Sequence, residues 1–131
     1  MRACFESHRL AWRSIRDGNE PNGLVMEDDI ILSNKFPTTL DALAKLKDID
    51  VIKIDGIAQN IRFEPIIESN GIQLRETRQT IGSTASYIIS RESANKLENR
   101  AANSAIILLI SFLCLGTIGS HFNWILQLQL K

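Results

Sequence analysis

The sequence predicts an α/β layered domain over its first hundred residues. Two observations carry this. Short apolar runs bounded by turn residues occur at 23–26, 51–54 and 86–89. Segments of helical periodicity precede, separate and follow them, and strands alternating with helices pack as layers of sheet and helix. A chain of 131 residues suits one domain rather than two.

Residues 2–17 read as a helix. Cys4, His8, Ala11, Trp12 and Ile15 share one face with Phe5 beside them, and Arg9, Arg13 and Arg16 take the other. Gly18-Asn19 and then Pro21 stop it. Gly23–Met26 is a buried strand that ends on Glu27-Asp28-Asp29. Ile30–Leu32 is expected to continue extended, and Ser33-Asn34 to turn. Thr38 or Thr39 is expected to cap a helix from Leu40 to about Lys47, with Asp41 favouring its first turn and Lys45 and Lys47 its last. Val51–Ile54 forms a second strand, ended by Asp55-Gly56. Residues 57–81 are expected to be irregular, with short strands near Phe63–Ile67 and Ile72–Leu74. Ser86–Ile89 is a third strand, and Ser90 caps a helix from Arg91 to about Asn99.

Fifteen basic and fifteen acidic residues give a formal net charge of zero. That excludes the basic footprint of a general nucleic-acid binder. Two cysteines, Cys4 and Cys114, cannot build a disulfide framework, so a reduced, cytoplasmic setting is expected. The segment Met1–Glu6 carries charge where an apolar signal core would begin, so no secretory signal is expected.

The average charge hides a break. Every acidic residue lies at or before Glu98, and every basic residue but Lys131 lies at or before Arg100. Residues 1–100 therefore read as the folded domain and 101–131 as an apolar tail. The run Ala105–Ile118 is short for a membrane span, which needs about 20 residues, but 101–120 together reach that length. Three readings of the tail stay open: a membrane helix with the body on the cytoplasmic side, a buried core helix or strand pair, and sequence not native to the domain.

Glu27-Asp28-Asp29 is the strongest chemical signal. Unit charges about 5 Å apart repel by about 3 kcal/mol at an effective dielectric of about 20. A hard cation such as Mn2+ or Mg2+ removes that cost, because both prefer oxygen ligands. Ligands of open α/β sheets gather at the carboxyl ends of strands, where this cluster lies. The alternative is a solvated acidic turn, the simpler reading on composition alone. His8 is the second candidate, for orienting a carboxylate or touching a diphosphate; its alternative is a satisfied core histidine. Gly82–Tyr87 is the third: small residues there permit close backbone approach, and the Ser83 and Thr84 hydroxyls suit a sugar. An ordinary loop-to-strand entry is the alternative.

Four segments together resemble the family 25 glycosyltransferases, which include bacterial lipooligosaccharide galactosyltransferases. Ala3–Trp12 (ACFESHRLAW) resembles their Ser-His helix, and Leu24–Leu32 (LVMEDDIIL) resembles their EDD strand. Asp50–Ile54 resembles the strand that follows, and Ser83–Arg91 (STASYIISR) resembles their GTAGYIISR segment. The resemblance covers about Arg2 to Leu97. It implies a partial GT-A-like, Rossmann-like sheet with flanking helices, a UDP-sugar donor, and a glycan or glycolipid acceptor of lipopolysaccharide type. It further implies Mn2+ or Mg2+ held by Asp29 and Glu27, with Ser7, His8, Glu27, Asp28, Ser83 and Thr84 toward the donor. Galactose is the expected sugar and Asp55 the expected carboxylate base. The expected setting is the cytoplasm, at the inner membrane if 101–120 anchors there.

Departures from the pattern are expected to matter. The family carries a strand and helix before the Ser-His helix, whereas Met1 lies almost at that helix here. No Pro-Val-Asp-type motif follows Asn99, and Ser83 and Ser86 stand where the family has glycines. The chain thus reads as truncated at both ends. An active transferase, an inactive remnant and a small membrane-tethered cation-binding protein remain the three functional readings.

Overall fold

The computed structural model describes residues 2–48, 50–54, 64–69, 72–76, 84–103 and 125–129. In chain order these form α1 (Arg2–Asp17), β1 (Asn22–Met26), α2 (Phe36–Leu43), β2 (Val51–Lys53), β3 (Glu64–Ser69), β4 (Ile72–Glu76), β5 (Ser86–Ser90), α3 (Arg91–Asn103) and β6 (Ile125–Gln129). The α/β class holds. The six strands make one sheet in the order β1-β5-β2-β6-β4-β3.

The heart of the sheet is an antiparallel trio. β5 lies between β1 and β2, with Tyr87 opposite Val25 on one side and Lys53 on the other. Because β1 and β2 both run against β5, their carboxyl ends reach the same edge of the sheet. β6 continues the sheet, parallel to β2 and antiparallel to β4, and β3 closes the far side as the antiparallel neighbour of β4.

Strand alternation splits the core into two layers. On one face Val25, Val51, Tyr87 and Ile89 pack with Phe5 and Trp12 of α1 and Ala94, Leu97 and Ala101 of α3. On the other, Ile52, Ile72, Leu74 and Ile88 pack with Leu43 of α2. Helices thus cover both faces, which explains why the trio reads as near-continuous apolar runs.

α1 forms over the span that its periodicity predicts, and its buried stripe is Phe5, His8 and Trp12. It ends where Gly18 N–H donates to the Ile15 carbonyl at 3.3 Å. Glu98 of α3, nearly buried, ties the two helices: Arg9 Nη2 donates to Oε1 at 2.9 Å and Nε to Oε2 at 3.2 Å, while Arg13 Nε donates to Oε1 at 2.6 Å. Burial opposes the charge on Glu98, but these bonds outweigh it and hold its carboxyl below the ordinary value. Ser90 caps α3 as expected, its hydroxyl accepting from Ser93 N–H at 3.1 Å. The Ser93 hydroxyl in turn donates to Asp50 Oδ1 at 2.6 Å.

Two expectations are corrected. Ile30–Leu32 does not continue the strand: Asp28-Asp29 turn, and Ile31 lies almost fully exposed. The ladder ends where Glu27 N–H donates to the Ala85 carbonyl at 2.8 Å. The second helix starts at Phe36 and ends at Leu43, so neither Thr38 nor Thr39 caps it, and Lys45 and Lys47 lie beyond it. Pro37 occupies its first turn, where a missing N–H costs nothing, and Thr39 is buried one turn in. Within the tail, residues 125–129 form a strand over the alternating Leu126-Gln127-Leu128-Gln129 pattern. The apolar run 105–118 lies outside the described residues. Among the described residues no helix is long and apolar enough to cross a membrane.

Candidate functional site

The carboxyl ends of β1 and β2, the entry to β5 and the buried face of α1 meet at one place. Each contributes from one of the four motif segments. Tyr87, fully buried, is the hub. Its hydroxyl accepts from Trp12 Nε1 at 3.0 Å and shares a hydrogen bond with His8 Nδ1 at 2.8 Å. The His8 and Tyr87 rings stack with centroids 5.7 Å apart. Burial pushes the Tyr87 phenol above its ordinary value, so it keeps its proton at neutral pH.

With Nδ1 engaged by Tyr87, the other ring nitrogen of His8 points toward Glu27, with Nε2 3.7 Å from Oε1. The same Oε1 accepts from the Thr84 hydroxyl at 2.8 Å. Glu27 is about one-third exposed, so it spans the boundary between the core and solvent. Burial holds His8 below its ordinary value; Glu27 pulls the value back up, and the Lys53 ammonium pushes it further down. At neutral pH His8 is therefore a neutral imidazole, able to accept at one nitrogen and donate at the other.

Of the expected site residues, the fold brings His8, Glu27 and Thr84 together. Asp28 and Asp29 sit beside them in an exposed turn. Ser7 lies one residue from His8, but its exposed hydroxyl donates within the helix to the Ala3 carbonyl at 3.1 Å. Asp55 and Ser83 lie outside the described residues.

Four participants go beyond the site residues expected from the sequence, although Tyr87 closes the Gly82–Tyr87 candidate segment. Tyr87 and Trp12 read as core aromatics, and only their polar tips, which need buried partners, signal more. Lys53 sits within an otherwise apolar strand, and that mismatch was its signal; it is almost completely buried on the α1 side of the sheet. Cys4 precedes His8 by one helical turn, and its thiol, one ring nitrogen of His8 and a Glu27 carboxylate oxygen lie within 4.8 Å of one another. Among the described residues no other three potential ligands gather so closely. An open cleft of about 920 Å³ lies at the opposite edge of the sheet, lined by Asn22, Lys45, Lys47, Arg91 and Lys96 among others, and holds none of the expected site residues.

A sequence model of a family described as glycosyltransferase family 25 (LPS biosynthesis protein) matches residues 2–110. No curated protein and no solved structure matches the chain.

Proposed function

We propose that this chain, which belongs to glycosyltransferase family 25, transfers a sugar from a UDP-sugar donor to a hydroxyl of a lipopolysaccharide glycan. Galactose is the sugar of first choice. One observation carries the reading: the four segments that resemble the family do not scatter over the fold but interlock at one sheet edge, through His8, Glu27, Lys53 and the Thr84–Tyr87 stretch. A GT-A-type, Rossmann-like architecture is part of the same proposal. Its support is the layered arrangement, with the carboxyl ends of β1 and β2 side by side at that edge.

A hard divalent cation belongs to this reading. The carboxylates of Asp29 and Glu27 suit Mn2+ or Mg2+ in donor type, and the exposed turn at Asp28-Asp29 leaves Asp29 open to solvent and to a diphosphate. When bound, the cation would stabilise the negative charge that develops on the departing diphosphate. The chain's own residues prepare the ground. Thr84 holds the Glu27 carboxylate in one orientation, and Tyr87 fixes the ring of His8 beside it. The Ser7 and Ser83 hydroxyls and Asp28 are proposed toward the donor. Asp55, which follows β2 in sequence, is proposed to take the proton of the acceptor hydroxyl as it attacks the anomeric carbon. The acceptor is a glycolipid intermediate, so the proposed place of action is the cytoplasmic side of the inner membrane.

The test is calorimetric titration of UDP-galactose into the chain with Mn2+, repeated with Asp29→Ala. Binding that needs the metal and disappears in the variant supports the reading. A folded chain that binds no donor, or binds it equally well without Asp29 and without metal, overturns it.

A further inference from the structure

We propose that Cys4, His8 and Glu27 form a binding site for a thiophilic divalent cation of the zinc class. The site shares Glu27 with the EDD motif but completes its ligand set with a thiol and an imidazole in place of Asp29, and it does not depend on the sugar-transfer reading.

The geometry comes from two elements. Cys4 and His8 stand four residues apart on α1, so they project from one face of adjacent turns. Glu27 arrives from the end of β1, its backbone held by the ladder bond to Ala85. Their ligand atoms already lie within 4.8 Å of one another. A tetrahedral zinc site wants ligand atoms about 3.4–3.7 Å apart, from bonds of about 2.0–2.3 Å. Cys4 is exposed and not in a disulfide, so its side chain can turn to close that difference while Thr84 holds the Glu27 carboxylate.

The surroundings are those of a metal site. Ligating histidines are oriented by a partner on the other ring nitrogen, and ligating carboxylates are hydrogen-bonded in turn. Here Tyr87 engages Nδ1 of His8 and directs Nε2 toward Glu27, while Thr84 bonds the Glu27 carboxylate. Metal at Nε2 selects the tautomer with the proton on Nδ1, which then donates to the Tyr87 oxygen. Lys53, buried near His8, opposes added positive charge. Both anionic ligands, the Cys4 thiolate and the Glu27 carboxylate, therefore help to offset that charge and hold a dication. Thiolate, imidazole and carboxylate together favour zinc over Mg2+ or Mn2+, and three protein ligands leave a fourth position for water or an incoming group.

Cobalt is the spectroscopic probe. Titrating Co2+ into the full chain under reducing conditions should produce a thiolate-to-cobalt charge-transfer band and the visible bands of tetrahedral cobalt, saturating at one ion per chain. Zn2+ should bleach both, and Mn2+ should not. Cys4→Ser should abolish the charge-transfer band and weaken Zn2+ binding by more than about tenfold, since even outer partners of metal ligands are worth about that much. Glu27→Gln should weaken binding while keeping the band. Asp29→Ala and Cys114→Ser should leave the spectrum unchanged. Absence of a thiolate band, its survival in Cys4→Ser, or its loss in Cys114→Ser would each overturn the proposal. The Asp29→Ala arm separates this site from the proposed donor-binding metal.

Discussion

Replacing Tyr87 with Phe removes one oxygen from the centre of the site and leaves its ring in place. That ring is fully buried and stacked on His8, and Phe keeps both features. What goes is the hydroxyl that accepts from Trp12 Nε1 and bonds His8 Nδ1, both from side chains that are themselves buried. A buried polar group that loses its bond without regaining water costs about 1–3 kcal/mol, so two such losses predict about 2–6 kcal/mol. At roughly 4 °C per kcal/mol for a domain of this size, the melting temperature should fall by about 8–24 °C. Urea unfolding followed by circular dichroism, with an unchanged slope, reads the free energy directly. The variant should also loosen the His8 ring, shifting its tautomer populations in nitrogen NMR spectra. A loss below about 0.5 kcal/mol, within the range of ordinary surface substitutions, would refute the argument that this hydroxyl organises the site.

Three further outcomes follow from the same contacts. Stability should fall in acid in two windows, because His8 and Glu98 are both held below their ordinary values of 6.5 and 4.5. A lowered value means stability that is present above the ordinary one and lost as pH falls through the lowered one. Glu98→Gln should flatten the lower window and cost about 1–3 kcal/mol at neutral pH, less than a deeply buried pair because Arg13 is partly exposed, as pH-dependent urea unfolding would show. Gly23→Ala should destabilise by about 1–3 kcal/mol, since a Cβ there would overlap the Ile15 side chain where α1 crosses β1; a melting temperature equal to that of the parent would contradict this. Ser90→Ala should cost about 1 kcal/mol by removing the cap of α3, with the loss of helicity visible by circular dichroism.

Local patterning made much of this protein readable. The α1 stripe, the three apolar strands and the Ser90 cap depend on neighbours a few residues away, and they appear where their spacing places them. The second helix was misplaced because Pro37 reads as a breaker but works equally well as a first-turn residue. β6 lies in the charge-free tail, whose composition masks the alternating Leu126-Gln127-Leu128-Gln129 pattern of a strand; its place in the sheet is set by partners in β2 and β4, fifty or more residues away.

The candidate site divides along the same line. Residue type and order alone determined that Glu27, Asp28 and Asp29 end a strand, that His8 lies on the buried face of α1, and that four segments match one family. Tertiary structure alone decided which of them touch. Tyr87 meets Trp12 across 75 residues and His8 across 79, and Thr84 meets Glu27 across 57. Cys4 joins His8 and Glu27 only because α1 crosses the end of β1. Periodicity tells a residue which way to face along its own element. The partner that satisfies a buried hydroxyl, imidazole or carboxylate is chosen when the elements pack, because only then does losing water make the right neighbour matter.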